Sequence, residues 1–333
     1  VCKNIRKERV NLELHLVGDK FNKGTGEYSN FIPDMKSTFA EKEWIVWHGA
    51  KSRGESLEIM SEMDISWCYR PSRLEDNTLE LSTKILETIV LDIPLIAYSS
   101  EINRRLLGEK SRFLFPNTER IAEGILMLWK EERDNYYPDT EIESFGSKRV
   151  GSDLSQLLPK NCAGRKVVVN GHDFKFISEF ESYLKSNGNL VVRDPWNWST
   201  PVNIIRSKRI LRDVECIFSE WGLANASWYS KNKLDDQRHI VRVHSQEVRK
   251  RALPMAKRIE PEGCDNIIFV SEHIMKKAKD VFKWDEDLLK IVPNYVDLAR
   301  FKHDKKSENR KEVAIVGIVP RSKRLDLGGD LIK

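Results

Sequence analysis

Long apolar runs are missing from this chain. Nothing in its 333 residues approaches the roughly 20 needed to cross a bilayer as a helix, and no secretory signal pattern opens it. Cysteine is sparse: Cys2, Cys68, Cys162, Cys216 and Cys264 are scattered, odd in number and without a CxxC pair. That excludes a disulfide frame and a structural zinc site, and it fits a reducing, cytoplasmic compartment. None of the seven histidines pairs at i, i+4, and no segment has metal-ligand spacing, so no metal is expected. Strong charge of one sign is also lacking. Lys and Arg number 56 against 51 Asp and Glu, a net of +5. This is too mild to imply nucleic acid, and it suits an anionic substrate or an anionic membrane surface. What remains is a 40% hydrophobic chain, long enough for about two domains.

Short apolar runs alternate with helical periodicity. Strand patterns fall at 12–17, 44–47, 64–68 and 93–97, helix patterns at 52–63 and 82–91, and a helix–strand step at 104–115. Residues 118–129 are amphipathic, with Ile121, Ile125 and Leu128 on one face. Gly18 follows the first strand and His48 the second, positions where a parallel sheet admits close approach of a ligand. Residues 20–34 read as a polar loop. Residues 130–164 are polar and broken by Pro and Gly, an interdomain pattern with a short helix at 152–158. A second block then repeats the alternation, with strands at 166–170, 190–193, 216–219, 240–243 and 267–270 and helices at 177–185, 203–211 and 274–282. Such alternation implies parallel sheets covered on both faces, the α/β class.

The segment from Arg70 to Ala97, RPSRLEDNTLELSTKILETIVLDIPLIA, is the most informative. A polar loop feeds a helix between two strands, and the helix start offers free N–H groups and partial positive charge to an anion. Glu87 lies about one turn inside, within reach of a sugar hydroxyl on a ligand whose phosphates rest on that start. The segment resembles the donor-binding region of GT-B glycosyltransferases, specifically the retaining, nucleotide-sugar-dependent family four. Glu87 with the later Pro94 matches the second half of that family's pattern. The family's spacing places Leu79 at the first glutamate position, with Glu80 one residue late. The variant ELSTKILE, with Ser82, Thr83 and Lys84, is similar to a sub-pattern of the family. The other reading is a helix with a solvated Glu and Lys.

The resemblance implies two Rossmann-like domains facing each other across a cleft: a donor domain at 1–129 completed by 313–333, a crossover segment at 130–164, and an acceptor-side domain at 165–312. The landmark IVPNYVDLARF near the end of the second block is similar to one in the family. Residues 313–317 read as a strand and PRSKRLD, at 320–326, as a basic loop opening a helix; in the family such elements begin the donor domain. Joined end to start, Leu327, Leu331, Cys2 and Ile5 fall three to four residues apart on one helix face. The order therefore reads as a circularly permuted enzyme, with a fragment spanning two neighbouring transferases of a tandem protein as the alternative.

By this resemblance Lys323 matches the phosphate-binding lysine, and Arg321 takes over from an arginine that Ile318 replaces. His244, ending the strand HIVRVH, matches a histidine that faces the donor sugar and assists by hydrogen bonding; a structural histidine is the other reading. The expected catalytic set is His244, Lys323 and Glu80, and the donor-binding set is Arg321, Glu87, Ser82, Thr83, Lys84, Gly18 and His48. The loop EWGLANASWYS carries Trp221, Asn225, Trp228 and Tyr229, which suit an acceptor floor because aromatic rings stack on sugars and amides read hydroxyls; tryptophans in a core are the equal alternative. His172 and Asp173, after the first strand of this block, join the acceptor set. The basic run RKRALPMAKR, at 249–258, reads as a solvated helix face or a contact with anionic lipid. The activity implied is transfer of a sugar, with retention, from a UDP- or GDP-sugar to a glycan or lipid-linked acceptor in cell-surface polysaccharide synthesis. No cofactor is implied; the leaving phosphate takes the acceptor's proton. A non-catalytic glycan-binding module and a phosphorylase or epimerase of the same fold are the competing readings.

Overall fold

The computed structural model describes residues 12–19, 31–70, 72–76, 81–130, 136–137, 140–157, 164–298 and 312–316. The chain divides into two compact units, one formed by Val1–Ile142 with Leu298–Lys333 and the other by Glu143–Asp297. Of the residues singled out above, Leu79, Glu80, Cys162, Ile318, Arg321 and Lys323 lie outside the described residues, as do the segments proposed to join the two chain ends.

The first unit runs β1 (Glu13–Val17), α1 (Phe31–Glu41), β2 (Ile45–Trp47), α2 (Arg53–Ser61), β3 (Ile65–Trp67), α3 (Ser72–Glu75), α4 (Thr83–Val90), β4 (Leu95–Tyr98), α5 (Glu101–Leu107), β5 (Leu114–Phe115) and α6 (Ile121–Lys130). The second runs α7 (Ser147–Gln156), β6 (Lys166–Gly171), α8 (Ser178–Ser186), β7 (Leu190–Pro195), α9 (Ile204–Leu211), β8 (Cys216–Glu220), α10 (Ala224–Asn232), β9 (Arg238–Val243), α11 (Leu253–Ala256), β10 (Asn266–Phe269), α12 (Glu272–Phe282) and β11 (Leu289–Ile291). The chain then returns to the first unit with β12 (Glu312–Val316).

Among the described residues each unit holds one six-stranded sheet, and every paired strand in it is parallel. In the first the order is β2-β1-β12-β3-β4-β5. Counted from β12, that is 3-2-1-4-5-6, the doubly wound order of dinucleotide-binding folds. In the second the order β11-β10-β9-β8-β6-β7, counted from β6, is the flavodoxin-like 2-1-3-4-5 with one more strand. Both units are α/β and Rossmann-like. In such sheets ligands meet the carboxyl ends of the strands where the order reverses. That point falls between β12 and β3 in the first unit and between β6 and β8 in the second.

The cores follow from strand periodicity. Val167 and Val169 pack with Phe180, Phe218 and Ile240 on one face of the second sheet, while Val168 packs with Ile217, Leu211 and Tyr229 on the other. Both faces are covered, so the strand reads as an unbroken valine run. In the first unit Leu14 and Leu16 pack with Ile85, Ile89, Leu95, Ile121 and Ile125.

Four local expectations are corrected. The polar stretch at 20–34 gives way to α1 from Phe31; Pro33 sits in its first turn, where a missing N–H is harmless. The helix expected at 152–158 runs instead from Ser147 to Gln156, and Val150 and Leu154 bury it in the second unit's core, so this part of the segment is not a linker. The loop EWGLANASWYS contains α10 from Ala224. The basic run at 249–258 forms only the single turn Leu253–Ala256, because Pro254 limits helix on its N-terminal side.

Candidate functional site

In the first unit the described donor candidates, Gly18, His48, Ser82, Thr83, Lys84 and Glu87, follow the carboxyl ends of β1, β2 and β3. Gly18, after β1, has φ 131°, a conformation open to glycine, and its N–H donates to Gly49 O at 2.7 Å. His48, after β2, meets His15 with Nε2 3.0 Å from Nδ1. Burial, then the neighbouring His15 and Lys51, push the His48 pKa down, which keeps the ring neutral near pH 7. Between β3 and β4, α4 starts at Ser82, whose side chain makes no capping bond, and no acidic residue occupies the first turn. Among the described residues, neither a side-chain cap nor a first-turn acid offsets the free N–H groups and positive end of this helix. Thr83 opens this turn.

Glu87, one turn further on, is only 2% exposed. Lys84 Nζ lies 2.7 Å from one carboxylate oxygen, and the Arg53 guanidinium, from the start of α2, lies 3.3 Å from the other. Two cations thus bracket one carboxylate beside a helix start that the Ser82 side chain does not cap. Arg53 was not found from sequence; it sits directly after an ordinary capping serine, and only the fold brings α2 to α4. Arg70, after β3, is held by Glu75 at 2.6 Å, and Glu75 accepts from Asn103 Nδ2 at 3.1 Å. Each of these cations is thus fixed by a carboxylate, Arg53 and Lys84 by Glu87 and Arg70 by Glu75.

In the second unit the switch point between β6 and β8 is tightly closed. A Cβ on Gly171 would lie 2.5 Å from Glu220 O, so only glycine permits this approach. Asn225 is buried and donates to Asn170 Oδ1 at 2.7 Å, tying α10 to the end of β6. It is a brace within the unit. Tyr229 is fully buried in the core, donating to Asp194 Oδ2 at 2.9 Å. Burial and that carboxylate push its pKa far up. Trp228 packs against Trp196 in the same cluster. The structure does not bring Trp228 and Tyr229 to the other acceptor candidates; they form the layer beneath the sheet.

Trp221, His172 and Asp173 do come together. Trp221 adopts φ 78°, unusual for a bulky residue. Its Nε1–H donates to Asp173 O at 2.9 Å, and the next N–H, of Gly222, donates to Glu247 Oε1 at 2.9 Å. Its ring lies between two imidazoles, with centroids 4.8 Å from His172 and 4.1 Å from His244. His172 is half-buried, and that burial chiefly lowers its pKa. Burial alone would raise Asp173, but hydrogen bonds from Lys175 outweigh it and hold the carboxyl below its usual range.

His244 is 2% exposed, packed between Trp221 and Phe176. Its Nε2 lies 2.9 Å from Glu220 Oε1. Glu220 is fully buried; burial pushes its pKa up, but Arg242 at 3.4 Å and His244 outweigh this and keep it ionised. Arg242, also fully buried, spreads its donors to Phe176 O at 3.1 Å and Asn294 Oδ1 at 3.0 Å. Glu247 lies beside them, its pKa pushed up by burial to about 7. The structure thus seats His244 in a buried charged network, with Trp221 and His172 on the side nearer solvent. Sequence reading missed this network, although an arginine inside the apolar run HIVRVH and a glutamate ending CIFSE are signals of buried partners.

No family model and no curated protein matches the chain. Among solved structures, a chorismate mutase/shikimate 5-dehydrogenase fusion protein from Clostridium acetobutylicum is 12% identical, covering 88% of this chain and 87% of its own, with a TM-score of 0.24. An ABC transporter solute-binding protein from Burkholderia graminis, in complex with D-arabinose, is 10% identical over 88% of this chain and 98% of its own, with a TM-score of 0.23. At such TM-scores neither likeness bears on this protein's fold or function.

Proposed function

We propose that the chain is a nucleotide-sugar-dependent hexosyltransferase of GT-B type, moving a sugar from a UDP- or GDP-linked donor to a glycan or lipid-linked acceptor with retention. The observation that carries this reading is the cationic edge around Glu87. An uncapped helix start with Lys84 and Arg53 beside it supplies the donors a diphosphate needs. Each such donor is worth roughly 3 kcal/mol against leaving-group charge in a water-excluded site. Ser82, Thr83, Gly18 and His48 share that edge. Lys323, Arg321 and Glu80 complete the donor set on the sequence resemblance alone. His172, Asp173 and Trp221 are the acceptor-side candidates. A cytoplasmic location belongs to the same reading; among the described residues no helix is long and apolar enough to cross a membrane.

A second reading, a glycan- or nucleotide-sugar-binding protein without turnover, is favoured by the burial of His244, which leaves that ring little access to a sugar. Nucleotide release from a panel of UDP- and GDP-sugars, with and without glycan acceptors, separates the two. Release that disappears in Glu87→Ala and Lys323→Ala supports the transferase. Saturable glycan binding with no release from any donor supports the binding protein and sinks the transferase.

A further inference from the structure

Three of the six large apolar side chains exposed among the described residues of the second unit lie within four positions of one another, the others being Leu190, Leu234 and Ile291. Val202, Ile204 and Ile205 are 61%, 38% and 71% exposed. They flank Asn203, which caps α9 by accepting from the Arg206 N–H at 3.0 Å. Ser207 and Leu211 form the buried side of the helix. Away from that side lie Ile205, Lys208, Arg209 and, just past the helix end, Arg212, with Ile204 at the border of the buried face; all are exposed. Arg206 spends a donor on Arg193 O at 2.9 Å. No acidic residue occurs between Asp194 and Asp213, and Lys208, Arg209 and Arg212 have no carboxylate partner among the described residues. Upstream, Trp196 and Pro201 pair to close a small turn that holds Trp198 partly exposed, with Arg251 5.0 Å from its ring centroid.

Adjacent isoleucines facing water beside unpaired cations are poorly explained by a solvated helix, whose outer face is normally polar. Nucleic acid would use the cations but leave the isoleucines in water. A bilayer carrying anionic lipid uses both, with apolar side chains below the headgroups and Lys and Arg at the phosphates. A tryptophan at the margin suits the interfacial zone. We propose that the Val202–Arg212 face docks on an anionic phospholipid surface. The contact is thereby moved from the basic run at 249–258, where Ala252 and Ala256 are buried and the helix is a single turn. Trp198 also stands 5.8 Å, centroid to centroid, from His172. A lipid-linked hydroxyl held at this face would therefore arrive beside the acceptor-side cluster. The docking surface stands whether or not sugar is transferred.

Co-sedimentation of the full chain with vesicles tests it without any sugar nucleotide. Binding is expected to vesicles containing phosphatidylglycerol and not to phosphatidylcholine alone. The paired substitutions Ile204→Ser with Ile205→Ser, and Lys208→Glu with Arg209→Glu, should each reduce binding about tenfold, whereas Lys250→Glu with Lys257→Glu should stay within about twofold. All six side chains are exposed, and circular dichroism verifies that the variants fold. Absent binding, equal binding to neutral vesicles, or insensitivity to the isoleucine pair overturns the proposal. So does binding of a homopolymeric RNA that competes with the vesicles and depends on Lys208 and Arg209 alone.

Discussion

At the scale of single residues, Glu247 is the group most out of place. Its carboxyl is buried and titrates near 7 rather than at the ordinary 4.5. Between those pH values the folded chain holds a proton that the unfolded chain has released. The stability from this group is therefore fully present below about 4.5 and is lost as pH rises through about 7. A shift of that size corresponds to about 3 kcal/mol. Glu247→Gln keeps an oxygen for the Gly222 N–H, sets its NH2 against the His244 backbone N–H that the other carboxylate oxygen accepts from at 3.2 Å, and cannot ionise. The lost acceptor is a pH-independent cost, so urea unfolding should show the stability of the variant relative to the parent rising by up to about 3 kcal/mol between about pH 5 and pH 8; an equal difference at both ends would mean that the carboxyl does not titrate as described. Nothing in HSQEV announces this behaviour. The glutamate looks solvated in sequence, and burial is a property of the packing around it. The same limit applied to His244, Trp228 and Tyr229: their types suited a sugar site, but whether a ring faces ligand or core depends on the layer beneath. Gly18 and His48 were legible at the strand ends, because a polar residue or glycine closing an apolar run marks where a strand stops.

At the scale of elements, two helices of the first unit begin in opposite ways. Ser52 and Glu55 form a reciprocal capping box on α2, with Glu55 N donating to Ser52 Oγ at 3.3 Å and Ser52 N to Glu55 Oε2 at 2.8 Å. Ser82 stands in the same position on α4 and makes no such bond. Ser52→Ala should lower stability by about 1 kcal/mol and Ser82→Ala by less than about 0.5 kcal/mol, as measured by thermal or urea unfolding. A large loss at Ser82 would show that its hydroxyl caps the helix after all, and the anion argument for this edge would weaken. The strands and most helices were legible because apolar runs and helical stripes are local signals. Two helices were not. The core-facing side of α10 is built from Ala226, Tyr229 and Ser230, so small and hydroxyl-bearing residues hide its amphipathicity. A proline in the first turn of α1 reads as a breaker unless the helix start is already known. The end of α4 was clearer: Asp92 takes φ 50° at the break and accepts from Tyr136 N at 2.7 Å, a left-handed stop for which Asp is suited.

At the scale of the whole molecule, the two units differ in how their chain is distributed. All of the second sheet comes from the continuous stretch Glu143–Asp297, whereas the first takes β12 from beyond it and seats that strand between β1 and β3. A fragment limited to residues 143–297 should unfold cooperatively in urea with retained helical dichroism; a non-cooperative, molten transition would show that the division is not one of stability. The α/β class was readable from alternation alone. Strand order was not, since pairing across long sequence separations leaves no local trace. On the ribosome this layout imposes a schedule. The second unit is fully synthesised while the earlier sheet still has a gap at its middle, with the flanks of β1 and β3 open to any strand that offers itself. Nascent chains stalled before β12 should thus protect the later segment from protease while the earlier one stays cleavable, and a chaperone that shields unpaired edges has its longest opportunity there.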